Sequence, residues 1–258
     1  MRLMKRILSA AAVLALSASL LVGCSSGTAS SVPVSASSAA ESTVSSVEET
    51  ASSAVDENEA AAAQLLNDLT GSYQELWPVI LADEYKQTWL DDCTALVGED
   101  NAEAAFEKLS SMVTGDVYGE DAVKAYANGG GAYFCGFTNS LAILTFDGET
   151  STISGTDKDG NVLFSHTYHY IGIEPVHGLY EFESDDADSG EFTYFFLAPD
   201  TSAETYHIEF RYGSDAEALS QYDAGEYAYW VASGISTDCD QTMIDNCIEL
   251  FCTENLAG

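Results

Sequence analysis

The chain has 258 residues, with 42 Asp and Glu against 8 Lys and Arg, and a formal net charge of −34. Binding to nucleic acid or to anionic lipid surfaces depends on clustered Lys and Arg, so this composition excludes both as partners. A negative field concentrates cations, divalent ones most, although an acidic surface is also a common means of staying soluble.

The first 24 residues have the pattern of a bacterial lipoprotein signal peptide. All three basic residues of this segment precede an apolar run, residues 7–22, which leads into the lipobox-like sequence LVGC ending at Cys24. The run is shorter than the ~20 residues that span a bilayer. We therefore expect a lipid on the Cys24 thiol. The protein would then be extracytoplasmic and anchored to the bacterial cell membrane through that lipid alone.

Two further segments follow the signal peptide. Residues 25–60 consist mainly of Ser, Ala, Val, Thr and Glu with almost no aromatic residues. Such a composition buries too little apolar surface to offset chain entropy, so it predicts a disordered tether. Residues 61–258 contain the aromatic side chains needed for a core and have the length of one ordinary domain.

Helices are predicted on both sides of a central region of strands. Apolar residues recur at helical spacing, with Gly and Pro as breaks, in Glu59–Leu69, Leu76–Leu96, Ala102–Met112, Gly119–Ala127, Ser214–Tyr222 and Asp238–Glu254.

From Ala132 the hydrophobic period changes to two, which is typical of strands. Tight-turn sequences separate the strands, and an acidic turn around residues 185–190 joins two further aromatic strands. Short antiparallel strands in such a long run favour a closed barrel or a sandwich. The other predicted strands are Tyr133–Phe137, Leu141–Phe146, Glu149–Gly155, Asn161–Ile173 and Thr205–Tyr212.

Two separated motifs carry a resemblance to a known family. They read LNDLTGSYQELWP at residues 66–78 and FESDDADSGEFTY at residues 182–194, and the strand sequence ETYHIEF follows at residues 204–210. In this order they resemble the ZinT family of exported zinc-binding domains. The resemblance implies a mainly β fold, a lipocalin-like (calycin) antiparallel β-barrel with N-terminal and C-terminal helices.

The same resemblance implies a zinc site of three histidines, two of them at H-x-H on one strand and the third in the preceding loop. Only His207 stands at such a position here. Thr205 occupies the first position of the pair, and no histidine lies between Phe196 and Ala203. The chain thus resembles a divergent, lipid-anchored member of the ZinT family that lacks two of the three metal-binding histidines.

Glu209 and His166 are the candidate replacement ligands. Period two places Glu209 on the same face as His207, where a carboxylate can serve zinc. The alternative is that Glu209 pairs with Arg211, the domain's only arginine. His166 alternates with aromatic residues, so we expect it to point into the barrel and meet His207. The alternative for His166 is a hydrogen bond to a core tyrosine hydroxyl.

The remaining histidines and the cysteines leave several questions open. His169 is expected to face outward and His177 to be solvated in a turn. With Cys24 lipidated, five cysteines remain outside the cytoplasm, which permits at most two disulfides. Their connectivity cannot be read from the sequence; they are Cys93, Cys135, Cys239, Cys247 and Cys252.

No nucleophile elbow, zinc-protease motif, phosphate loop or dinucleotide fingerprint occurs, so the chain is interpreted as a non-enzyme. The function expected is capture or delivery of a divalent metal ion, zinc in the first place, with a metal-uptake transporter component as a partner. The alternative is a metal-free calycin-type module that binds a small apolar ligand or a surface partner.

Overall fold

The computed structural model describes residues 57–199, 205 and 207–257. The predicted signal peptide, Cys24 and the predicted tether as far as residue 56 lie outside the described residues. Residues 57–60, assigned from the sequence to the tether, are helical. Within the described ranges, no helix is both long and apolar enough to cross a membrane.

Eight antiparallel strands form a closed barrel in which each strand pairs with its neighbours in chain order. The first strand also pairs with the last, through Tyr73 opposite Ser236 and Glu75 opposite Gly234. The predicted antiparallel β-barrel is therefore confirmed. Its strands are β1 Gly71–Glu75, β2 Ile143–Asp147, β3 Thr152–Thr156, β4 Val162–Ile173, β5 Tyr180–Ser184, β6 Tyr194–Leu197, β7 His207–Gly213 and β8 Ala232–Ser236.

The two strands that close the barrel, β1 and β8, were not predicted. Four of the five residues of β8 are small, and at Gly234 the space is limited: a Cβ there would lie 3.1 Å from Ile208 and 3.3 Å from Phe137. β8 therefore lacks the alternation that marks a strand. Conversely, the predicted strand Tyr133–Phe137 is wrong, since only Phe134 forms isolated bridges there.

Helices flank the barrel at both ends of the chain, as predicted. The helix predicted over Leu76–Leu96 is instead divided by a 3₁₀ turn at Asp83–Tyr85, because Ala82 is extended with ψ of 146°. The helices are α1 at residues 57–68, α2 Leu76–Ile80, α3 Lys86–Val97, α4 Glu99–Val113, α5 Glu120–Ala127, α6 Ala216–Leu219 and α7 Gln241–Leu256.

The barrel interior is filled by aromatic side chains. The ring of Phe195 lies 5.4 Å from those of Tyr168 and Tyr212 and 5.9 Å from that of Phe164. These rings and Phe210 are at most 5% exposed. Three leucines around α1 join the same core, namely Leu65, Leu66 and Leu69. Burial of this apolar surface is the main force that holds the barrel together.

A second core lies between the outer face of the barrel and the helices α2, α3, α4 and α7. Its centre is aromatic: the ring of Phe251 lies 4.8 Å from Trp77 and 5.9 Å from Trp89. The carboxylate of Asp240 accepts a hydrogen bond from the amide of Met243 and caps the start of α7. This second core packs α2 against β8, and α7 against α2 and α3.

Candidate metal site

Strand β7 presents His207 and Glu209 on the outer face of the barrel. The intervening residue, Ile208, and its neighbour Phe210 are buried in the barrel core. In the register with β8, His207 lies opposite Ile235 and Glu209 opposite Ser233. The side-chain alternation of the strand is thus the reason that an imidazole and a carboxylate share one surface.

That surface forms a small pocket beneath two helices. His207 and Glu209 line it together with Cys247. The remaining walls are apolar and come from α2 and α7: Leu76, Trp77, Ile80, Leu250 and Phe251. The structure therefore brings two of the three residues predicted as metal ligands into one pocket, and it places a thiol beside them.

His207 is oriented by a hydrogen bond within its own segment. Its Nδ1 lies 2.7 Å from the hydroxyl Oγ1 of Thr205. In the tautomer in which Nδ1 donates to Thr205, Nε2 carries the lone pair that a metal ion requires. Thr205, at the position where the resembled family has a histidine, acts here on the orientation of His207.

The alternative of a Glu209–Arg211 ion pair is wrong. Arg211 is fully buried, and its guanidinium donates to the carbonyl oxygens of Leu219, Gln221 and Tyr227. It makes no ion pair with Glu209 within the described part of the chain. The guanidinium of Arg211 therefore binds the backbone of residues 219–227 rather than the carboxylate of Glu209.

The thiol of Cys247 is held in its neutral form. Burial and the negative charge of Glu209 raise the pKa of Cys247 to about 12. Because a metal binds the thiolate, a metal ion at Cys247 would first have to displace this proton. The other donor groups that line this pocket are the imidazole of His207 and the carboxylate of Glu209.

His166 does not meet His207. It lies on the inward face of β4 beside Phe164 and Tyr168, where its Nδ1 is 2.7 Å from Oδ2 of Asp186. His207 lies on the outer face of β7, so the barrel wall separates the two imidazoles. The alternative prediction, a hydrogen bond between His166 and a core tyrosine hydroxyl, is also wrong. The partner of His166 is Asp186 of the acidic turn.

The other two histidines also have carboxylate partners. His169 is exposed as predicted, and its Nδ1 lies 2.7 Å from Oδ1 of Asp185. The prediction of a solvated His177 is wrong: it is 6% exposed, 3.2 Å from Oε2 of the fully buried Glu174, and its ring lies 3.6 Å from that of Tyr222. The turn at Pro175 folds back onto the barrel and carries His177 with it.

Across the described ranges, no group of three or more His, Cys, Asp or Glu side chains is placed to hold a metal ion. Of the residues that line the candidate pocket, His207 and Glu209 carry the imidazole and the carboxylate that zinc accepts. Sequence reasoning missed the helical walls of this pocket and Cys247. A signal existed in the spacing of Cys247, Leu250 and Phe251, which puts the three on one face of α7.

The interior of the barrel leaves little room for a bound apolar molecule. Its inward side chains from β4, β6 and β7 stack on one another, with the ring centroids of Phe195 and Tyr212 5.4 Å apart. Phe192, in the turn before β6, also stacks on Phe164, with ring centroids 3.9 Å apart. An eight-stranded barrel encloses a ligand only where side chains leave a cavity. This filled core disfavours the alternative of an interior apolar ligand.

Comparisons with known proteins returned structural likenesses only. No protein-family model matches the sequence. No curated protein matches it either. Among solved structures, the chain is similar to the Zn(II)-bound ZinT-like domain of Streptococcus pneumoniae AdcA, with 15% identity, a TM-score of 0.44, and coverage of 70% of this chain and 87% of that one. It is also similar to Zn(II)-bound AdcA from Streptococcus pneumoniae, with 14% identity, a TM-score of 0.43, and coverage of 72% and 35%. These values do not assign the chain to a family.

Proposed function

We propose that this chain is an extracytoplasmic, lipid-anchored protein that binds a divalent metal ion, zinc in the first place, for capture or delivery. The observation that carries the proposal is the pocket in which His207 and Glu209 lie side by side on the outer face of β7. Imidazole nitrogen and carboxylate oxygen are both donors that zinc accepts.

The donor set suits a metal that is carried as cargo. Two protein donors leave positions of a tetrahedral zinc ion for water or for a ligand from a receiving protein. The apolar walls around His207 and Glu209 lower the local dielectric and strengthen their attraction to a cation. We infer weaker binding than at a site of three histidines, and therefore ready release.

The proposed location follows from the sequence at the N terminus. A lipid on Cys24 and a tether before the domain would hold the barrel near the outer surface of the membrane. A strongly acidic chain in that place raises the local concentration of divalent cations. The partner that fits this arrangement is a component of a metal-uptake transporter. We propose no catalytic role, since the sequence contains no nucleophile elbow, zinc-protease motif, phosphate loop or dinucleotide fingerprint.

Titration with zinc tests this function. The full chain, purified without a polyhistidine tag, is titrated by calorimetry in 0.15 M salt, which screens nonspecific attraction to surface carboxylates. We expect one saturable site tighter than ~100 µM. His207→Ala should abolish it, whereas His169→Ala should leave it unchanged because His169 is exposed and outside the pocket. Saturable binding that survives His207→Ala contradicts the assignment.

A further inference from the structure

Two buried cysteines of the helical layer are in sulfur–sulfur contact. The Sγ of Cys93 on α3 lies 3.9 Å from the Sγ of Cys252 on α7, and both side chains are 0% exposed. The helices that carry them pack against each other. No other two cysteines within the described ranges are in such contact; the remaining ones are Cys135, Cys239 and Cys247.

We propose that Cys93 and Cys252 are joined by a disulfide in the exported protein. The bond needs a sulfur–sulfur distance of about 2.05 Å, so each sulfur has to move by only about 0.9 Å toward the other. Rotation about χ1 and small shifts of two packed helices supply movements of this size. The inference rests on the extracytoplasmic location proposed above, where disulfides form and persist.

The reaction is a thiol–disulfide exchange with an oxidised dithiol protein or a small disulfide as the oxidant. One thiolate attacks the oxidant's disulfide and forms a mixed disulfide, with release of one oxidant thiol. The second cysteine then attacks its partner's sulfur and releases the other thiol. Cys93 and Cys252 together lose two electrons and two protons, and the oxidant's disulfide gains them as two thiols.

The pair closes during folding rather than afterwards. Burial raises the pKa of both Cys93 and Cys252. The hydrogen bond between the two thiols lowers the pKa of Cys93, but by less than burial raises it. Because the thiolate is the attacking species, a folded and reduced pair reacts slowly. Once formed, the bond is shielded from reductants by the same burial.

The bond would connect positions 159 residues apart and tie the last helix to the first half of the domain. α7 carries Cys247, Leu250 and Phe251, which line the pocket of His207 and Glu209. A disulfide at Cys252 therefore holds the wall of that pocket in place.

Refolding decides the pairing independently of export and of zinc. The full chain is unfolded in denaturant and reductant, refolded in a buffer of oxidised and reduced glutathione, alkylated, and digested without reduction. We expect one cross-linked peptide pair, Cys93 with Cys252, lighter by two hydrogens than the separate peptides. A folded chain with both thiols alkylated, or with either cysteine joined to another, overturns the proposal. Failure of zinc binding would leave this result unaffected.

The state in the cell is tested on the full chain exported with its own N terminus and trapped with an alkylating agent before lysis. The same cross-linked pair is expected in the membrane fraction, and reduced thiols there contradict the proposal. Reduction of the oxidised chain should lower the Tm by roughly 10 °C. Cys93→Ser should abolish this shift, and Cys239→Ser, at a partly exposed cysteine outside the pair, should retain it.

Discussion

Thr205 and His207 form a hydrogen bond of 2.7 Å between the hydroxyl Oγ1 and the imidazole Nδ1. The hydroxyl fixes the ring of a residue that faces an apolar pocket with a carboxylate beside it. Hydrogen-bond partners of this kind orient a metal-binding imidazole and set which nitrogen is protonated. Thr205 is thus a positioning residue for the proposed zinc site.

Thr205→Val keeps the shape of the side chain and removes the hydroxyl. We expect zinc affinity to fall by about 10-fold to 100-fold, the range found for such partners. Calorimetric titration measures the change. Thr205→Ser retains a hydroxyl and should restore most of the affinity. Equal affinity in the wild type and in Thr205→Val would show that the bond does not orient a ligand.

Zinc binding should weaken as the pH falls. A metal needs the neutral imidazole, so protons compete with zinc below an ordinary histidine pKa of ~6.5. We expect the zinc-induced rise in Tm, measured in 0.15 M salt, to be lost between about pH 7 and pH 5.5. A rise in Tm that persists unchanged at pH 5 would mean that carboxylates, which protonate near ~4, hold the ion.

The ionised carboxylate of the buried Glu174 stabilises the fold near neutral pH, and this stabilisation is lost in acid. Burial on its own would raise the pKa of this carboxyl, but hydrogen bonds from the side chain and amide of His177 and from the amide of Val176 outweigh it. The folded pKa is therefore below the ordinary 4.5. Its stabilisation is present above the unfolded value and is lost as the pH falls through the folded value.

Glu174→Gln should lower the free energy of unfolding at pH 7 by about 1–3 kcal/mol, because one buried donor loses its acceptor. The difference from the wild type should narrow as the pH falls below 4.5. Urea unfolding at several pH values measures it. Glu149→Gln, at an exposed turn residue, is the matched control and should stay within about 0.5 kcal/mol. A difference that is constant with pH would contradict this account.

The barrel could be predicted from the sequence where its strands carry aromatic residues in alternation. The strand β4 and the hairpin of β5 and β6 are of this kind, and they bury Phe164, Phe182 and Phe195. β8 could not be predicted, because four of its five residues are small, and one of them, Gly234, lies in close contact with Ile208 and Phe137. Small residues do not produce the alternation of apolar and polar side chains by which a strand is recognised in a sequence.

The site was predictable in part for a related reason. Period two along β7 correctly put His207 and Glu209 on one face. Alternation does not say which face of a strand points into the barrel. The prediction that His166 meets His207 assumed that both point inward, whereas His207 lies on the outer face. The environment of His177 depends on Glu174 and Tyr222, and the contact with Tyr222 spans distant parts of the chain. Contacts of that range are not contained in a local pattern.

The close packing of aromatic rings inside the barrel leads to a prediction about the stability of the core. Phe195 is 0% exposed and packs against four other rings. Phe195→Ala should cost about 3–5 kcal/mol in the free energy of unfolding, measured in urea. Val162→Ala, at a residue that is 71% exposed, should cost less than about 0.5 kcal/mol. A small apolar ligand that raises the wild-type Tm but not that of Phe195→Ala would contradict a filled interior.

X-ray absorption spectroscopy of the zinc-loaded full chain tests the central claim most directly, because it reports the atoms bound to the metal. We predict nitrogen and oxygen neighbours at ~2.0–2.2 Å together with the outer-shell scattering of an imidazole ring. The imidazole signal should vanish in His207→Ala and remain in His169→Ala. A spectrum of oxygen neighbours alone, or an imidazole signal that persists without His207, would contradict the proposed site.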